Sequence, residues 1–106
     1  MQRVHNRMAL YPHQPWTSVE LARLAGMSVP QFNRNFRRLI GSSPIEWLRR
    51  ERVSLAKRRL LESKDSIKSI AEQAGYNCAF FFSRDFKRQT GQSPTAYRSQ
   101  DGGMIG

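Results

Sequence analysis

Gln31, Asn33 and Arg34 fall within four residues of one another, and Arg84 stands in a second, similar segment. Their planar amide and guanidinium groups can make paired hydrogen bonds to base edges. An arginine fork matches O6 and N7 of guanine, and a Gln or Asn amide matches N6 and N7 of adenine. Arg37 and Arg38 follow a few residues on, where cations suit phosphate contacts, which position a protein on a duplex without reading its sequence. Such groups act only when a rigid element holds them on one face, so the elements around them decide what they can do.

Helix signals run through the whole chain. Val4, Met8 and Tyr11 lie at helical spacing, and Pro12 and Pro15 end that first helix. Thr17 with Glu20 forms a capping box that opens a second helix, which carries Leu21, Leu24 and Ala25 inward and stops at Gly26. Ser28 to Gln31 restarts the chain as a third helix with Phe32, Phe36 and Leu39/Ile40 as its buried stripe, ended by Gly41. Ser43, Pro44 and Glu46 then supply a complete start signal for an uninterrupted helix to Glu62. At 1.5 Å per residue it spans roughly 28 Å, close to the ~34 Å between successive major-groove faces of a B-form duplex.

The two segments flanking this long helix repeat each other. Residues 66–76 match 17–27 at an offset of 49, with Ala22/Ala71, Ala25/Ala74 and Gly26/Gly75 identical. Beyond the turn the offset becomes 50, and Phe36/Phe86, Arg38/Arg88, Gly41/Gly91, Ser43/Ser93 and Pro44/Pro94 coincide. One residue has been added beside the second turn. Each copy is a short helix, a glycine-containing turn and a second helix with an apolar inner face, which is the organisation of a helix-turn-helix unit. Each also closes with Gly-x-Ser-Pro leading into a further helix, and the second of these, from Pro94 through Tyr97, is expected to be short.

The pattern Gly41-Ser42-Ser43-Pro44-x-x-Trp47-Leu48-x-x-x-Arg52-Val53-x-x-Ala56 is followed by Ile70-Ala71-Glu72-Gln73-Ala74-Gly75-Tyr76, then Phe81-Phe82-Ser83-Arg84-x-Phe86-Lys87-Arg88 and Gly91-x-Ser93-Pro94-x-x-Tyr97-Arg98. Together these resemble the DNA-binding domain of the AraC/XylS family of bacterial transcriptional regulators, from about Met8 to Arg98. Trp47, Arg59 and the run Phe80-Phe81-Phe82 depart from the family's usual residues. The resemblance implies double-stranded DNA as partner, a cytoplasmic bacterial setting and contact with RNA polymerase through faces turned from DNA. It also implies an effector-binding or dimerisation domain outside this segment. It places base contacts of the second motif near Ala79, Phe80 and Arg84.

Subtracting the inner stripe from each second helix leaves the candidate interface. In the first motif it is Pro30, Gln31, Asn33, Arg34, Arg37 and Arg38; in the second it is Ala79, Phe80, Ser83, Arg84 and Lys87, with Arg88 completing the basic face. Phe80 admits two readings: an exposed ring against thymine methyl groups, or core of a slightly rotated helix. Phe81 is expected to pack partly on a neighbouring helix. Amides near Ser28, Ser43 and Ser66 add helix N-termini that favour phosphate. Arg52 reads as structural, paired with a carboxylate such as Glu20 or Glu72 or with backbone carbonyls.

Composition bounds the alternatives. In 106 residues, 18 Lys and Arg face 8 Asp and Glu for a formal charge of +10, which asks for a polyanionic partner. A single cysteine, Cys78, excludes an internal disulfide and any multi-cysteine metal site; it is expected to be half-buried. His5 and His13 have no carboxylate or thiol nearby in sequence, and no nucleophile elbow or phosphate loop occurs, so neither an enzyme nor a cofactor is expected. No apolar run has membrane-spanning length. The expected fold is all-α, with about seven helices forming two homeodomain-like helix-turn-helix subdomains joined by a long central helix. The divisions are residues 1–42, a linking helix over 43–63, residues 64–99, and a disordered tail over 100–106.

Overall fold

The computed structural model describes the backbone of residues 2–105 and the side chains of residues 2–99. Seven helices account for all its regular structure: α1 (Gln2–Leu10), α2 (Ser18–Ala25), α3 (Val29–Ile40), α4 (Pro44–Glu62), α5 (Ile67–Gln73), α6 (Ala79–Thr90) and α7 (Pro94–Ile105). The start signals act as the residue types require. Thr17, Ser28, Ser43, Ser66 and Ser93 each accept a hydrogen bond from the amide three residues on, at 3.0–3.3 Å.

Two compact units divide the chain at Glu51/Arg52, in the middle of α4. In the first, Val4, Met8, Leu21, Ala22, Phe32, Phe36 and Leu48 form the core. In the second it is Val53, Ala56, Leu60, Ile70, Ala71, Ala74, Phe82 and Phe86. α4 contributes to both cores, its first half giving Leu48 to one and its second half giving Val53, Ala56 and Leu60 to the other.

The two turns are built alike. Gly26 takes φ +70° and its amide donates to Arg23 O, while Met27 N donates to Ala22 O at 2.9 Å. Gly75 takes φ +94° with the matching pair, Gly75 N to Glu72 O and Tyr76 N to Ala71 O at 2.9 Å. A residue with a Cβ would raise the energy of this left-handed conformation by roughly 1–2 kcal/mol, so glycine at both positions is a backbone requirement.

Several expectations are corrected. Leu24 and Leu39 were assigned to the core but are 46% and 60% exposed. Successive residues advance about 100° around a helix, so Val29, Phe32, Phe36 and Ile40 share one sector and Leu39 lies at its edge. Leu24 likewise falls outside the sector of Leu21, Ala22 and Ala25. Tyr11 lies beyond α1 and is exposed, its carbonyl accepting from Trp16 Nε1 at 2.8 Å. His5 is half-buried, with its ring 4.8 Å from Trp47 and 6.0 Å from Phe36. Cys78 is exposed and occupies the N-cap of α6 without a side-chain hydrogen bond. α7 runs to Ile105, beyond the short helix expected at Pro94 through Tyr97 and through most of the tail expected to be disordered; Gly106 lies outside the described residues.

Arg98 has a role that its residue type alone did not disclose. It is half-buried, and its guanidinium donates to Leu60 O at 3.0 Å and Ser63 O at 3.2 Å. Leu60 lies in the last turn of α4 and Ser63 directly follows it, where an α-helix leaves its last acceptors without partners. Arg98→Ala is expected to lower the stability of the second unit by about 1.5–3 kcal/mol, the range for hydrogen bonds from a charged donor. Urea denaturation checks this, and an unchanged midpoint would show that the two bonds contribute nothing net.

Candidate nucleic-acid interface

α3 and α6 present the same pattern of burial at every position from Val29/Ala79 to Ile40/Thr90. Phe32 and Phe36, like Phe82 and Phe86, are fully buried with rings 5.8 and 5.7 Å apart. Locking two phenylalanines one turn apart into each core fixes the rotation of each helix about its axis. Everything facing away from that stripe is thereby placed.

Pro30, Gln31, Arg34, Arg37 and Arg38 are exposed on α3, and Phe80, Phe81, Arg84, Lys87 and Arg88 are exposed on α6. These pair off at an offset of 50 as Pro30/Phe80, Gln31/Phe81, Arg34/Arg84, Arg37/Lys87 and Arg38/Arg88. Phe80 is 65% exposed and Phe81 58% exposed, so the reading of Phe80 as core of a rotated helix and the expectation of a partly packed Phe81 are both set aside. The match of Phe81 with Gln31 was already present in the repeat, and following it through would have added Phe81 to the interface.

Three expected readers stand further in. Asn33, Ser83 and Ala79 are half-buried. Ala79 packs against the second core. Asn33 directly follows Phe32 and flanks the buried stripe, so its Oδ1 is enclosed, and no hydrogen-bond partner reaches it. These side chains border the outward face, and the exposed arginines carry its charge.

Asn35 and Asp85 were not singled out from the sequence, yet they occupy one repeated role. Asn35 Nδ2 donates to Met27 Sδ at 3.4 Å, and Arg38 donates to Asn35 Oδ1 at 3.4 Å. In the second unit the Tyr76 hydroxyl donates to Asp85 Oδ2 at 3.1 Å, and Arg88 donates to Asp85 Oδ1 at 3.3 Å. Each links the residue after the glycine turn to the outward arginine three residues on. The Arg88–Asp85 ion pair is largely exposed on its arginine side and so contributes little to stability; its effect is to limit the directions that Arg88 can take. Arg52 is half-buried.

Other sites offer less. A cleft of about 460 Å³ in the first unit is lined by Arg7, Tyr11, Gln14, Pro15, Trp16, Glu20 and Leu24. It contains no nucleophile paired with a base. Among the described residues no group of three or more His, Cys, Asp and Glu is gathered to hold a metal ion. Among the described residues no helix is long and apolar enough to cross a membrane.

Two glycine-turned helix pairs, each with an outward face of arginines on its second helix, define a double helix-turn-helix domain. A family profile described as a helix-turn-helix domain matches residues 21–100. The regulator AlkR of Acinetobacter baylyi is 39% identical over 90 residues, covering 85% of this chain and 29% of AlkR. A putative AraC-like transcription regulator of Streptomyces lividans is 37% identical over 87 residues, covering 82% of this chain and 29% of that protein. The DNA-binding domain of AdpA, solved in complex with a target DNA, superposes with a TM-score of 0.90 at 35% identity, covering 93% of this chain and 89% of the other. The chain belongs to the AraC/XylS family of helix-turn-helix domains. It spans 29% of the length of the two relatives above.

Proposed function

We propose that this chain is the DNA-binding part of a bacterial transcriptional regulator, acting in the cytoplasm, and that it recognises an asymmetric double-stranded site. α3 and α6 enter successive major grooves, one helical turn apart. The observation that carries this reading is the residue-by-residue match of two outward basic faces on helices whose inner faces are locked by phenylalanine pairs. A recognition helix enters the groove by its N-terminal half, which here holds Gln31 and Arg34 in one helix and Phe80, Phe81 and Arg84 in the other. The two helices differ in these residues, so their half-sites differ. AdpA, similar in fold and 35% identical, was solved bound to DNA, which supports the same partner here.

The relatives' greater length leaves room for an effector-binding or dimerisation domain, and surfaces away from DNA are left to meet RNA polymerase. The formal charge of +10 also suits an anionic membrane, and a titration in salt separates the two partners. Affinity for a duplex carrying the preferred site is expected to fall about a thousandfold between 50 and 200 mM salt, as for a protein making about six phosphate contacts, while exceeding that for a scrambled duplex throughout. Equal affinity for the scrambled duplex, or for anionic vesicles, would contradict sequence-specific DNA binding.

A further inference from the structure

We propose that the exposed Phe80–Phe81 pair reads the C5-methyl groups of pyrimidines, with Arg84 reading a neighbouring guanine. The α6 half-site then contains thymine, or 5-methylcytosine in its place. This rests on the DNA-binding function proposed above and specifies what its second module recognises.

The two rings stand edge to face at 5.9 Å on the outward side of α6, 65% and 58% exposed. Adjacent large aromatics left in water on a small domain mark a contact surface. Their counterparts on α3 are Pro30 and Gln31, so the second module has phenylalanine where the first has an amide able to bond a base edge. Phenylalanine offers no donor or acceptor. Against the polar edge of cytosine or guanine it would strip water from groups and return no hydrogen bond. The one apolar feature that a base pair presents in the major groove is the C5-methyl of thymine, and a C5-methylated cytosine carries the same group. The Arg84 guanidinium lies 5.9 Å from the centroid of the Phe80 ring, within cation–π range. That contact narrows the directions Arg84 can take and leaves its planar fork available for a guanine beside the methylated pyrimidine.

The test replaces each thymine of the preferred α6 half-site, one at a time, with deoxyuridine, which removes the methyl and leaves base pairing intact. Binding by the native chain is expected to weaken about fourfold for each contacted methyl, on the transfer value of one buried carbon. The double variant Phe80→Ala, Phe81→Ala, with its helical circular dichroism retained, is expected to bind the thymine and uracil duplexes alike. In a second arm the thymine is replaced by cytosine or by 5-methylcytosine, and the methylated duplex is expected to bind about fourfold better than the unmethylated one. Sequence-selective binding by the native chain that ignores the methyl groups would overturn this inference and leave the proposed function standing; sequence-blind binding would overturn both. If the native chain self-associates without DNA, the double variant does not, and thymine and uracil duplexes are bound alike, the pair covers a second copy of the protein and the inference also falls.

Discussion

Arg34→Ala is expected to weaken binding to the preferred duplex by about 1–3 kcal/mol and to erase selectivity at a guanine in one half-site. Arg84→Ala is expected to do the same at the other half-site alone. Both side chains are exposed on the helix face opposite the buried phenylalanine stripe, so neither substitution disturbs a core. The informative comparison is where selectivity is lost. A phosphate contact weakens all sequences nearly equally and lowers the salt dependence, whereas a base contact changes preference at one position. Competition binding with single-base-pair variants of the duplex distinguishes these. Uniform weakening at every position would reassign Arg34 or Arg84 to the phosphate backbone.

Phe86→Ala is expected to cost about 3–5 kcal/mol, the range for emptying a buried phenylalanine site. Phe86 is fully buried, touching Phe82 at 5.7 Å and Tyr97 at 5.4 Å between ring centroids. Because the net stability of a whole domain is of order 5–15 kcal/mol, such a loss leaves a unit of about half this chain close to unfolding. Amide hydrogen exchange should then rise over α5, α6 and α7 and much less over α1, α2 and α3, with selectivity lost in the α6 half-site. Phe36→Ala should give the mirror-image pattern. Equal acceleration over both units in either variant would show that the two cores unfold as one cooperative body.

Most of the fold was legible because its signals are local. Thr17, Ser28, Ser43 and Ser66 cap helices where their positions predicted, and the glycines at 26, 41 and 91 take the left-handed conformation that ends a helix. The doubled pattern of Phe32/Phe36 and Phe82/Phe86 was enough to orient both recognition helices. What escaped depends on contacts distant in sequence or on the edge of an apolar sector. Leu24 and Leu39 are apolar and helical but lie at the margins of their stripes. Arg98 reaches carbonyls 35 and 38 residues back, which no local spacing foretells. Asn35 and Asp85 become visible only when the repeat is compared position by position. Phe81 was misplaced for a related reason: its partner in the repeat, Gln31, is plainly polar, while a phenylalanine invites assignment to a core.

The central claim is that one chain reads two unlike half-sites with α3 and α6. It is tested most directly by selecting preferred duplexes from a randomised DNA library with this domain. The account predicts two different half-sites about 10 bp apart, one altered when selection is repeated with Arg34→Ala and the other when it is repeated with Arg84→Ala. A palindrome, a single half-site, or salt-sensitive binding without sequence preference would contradict it.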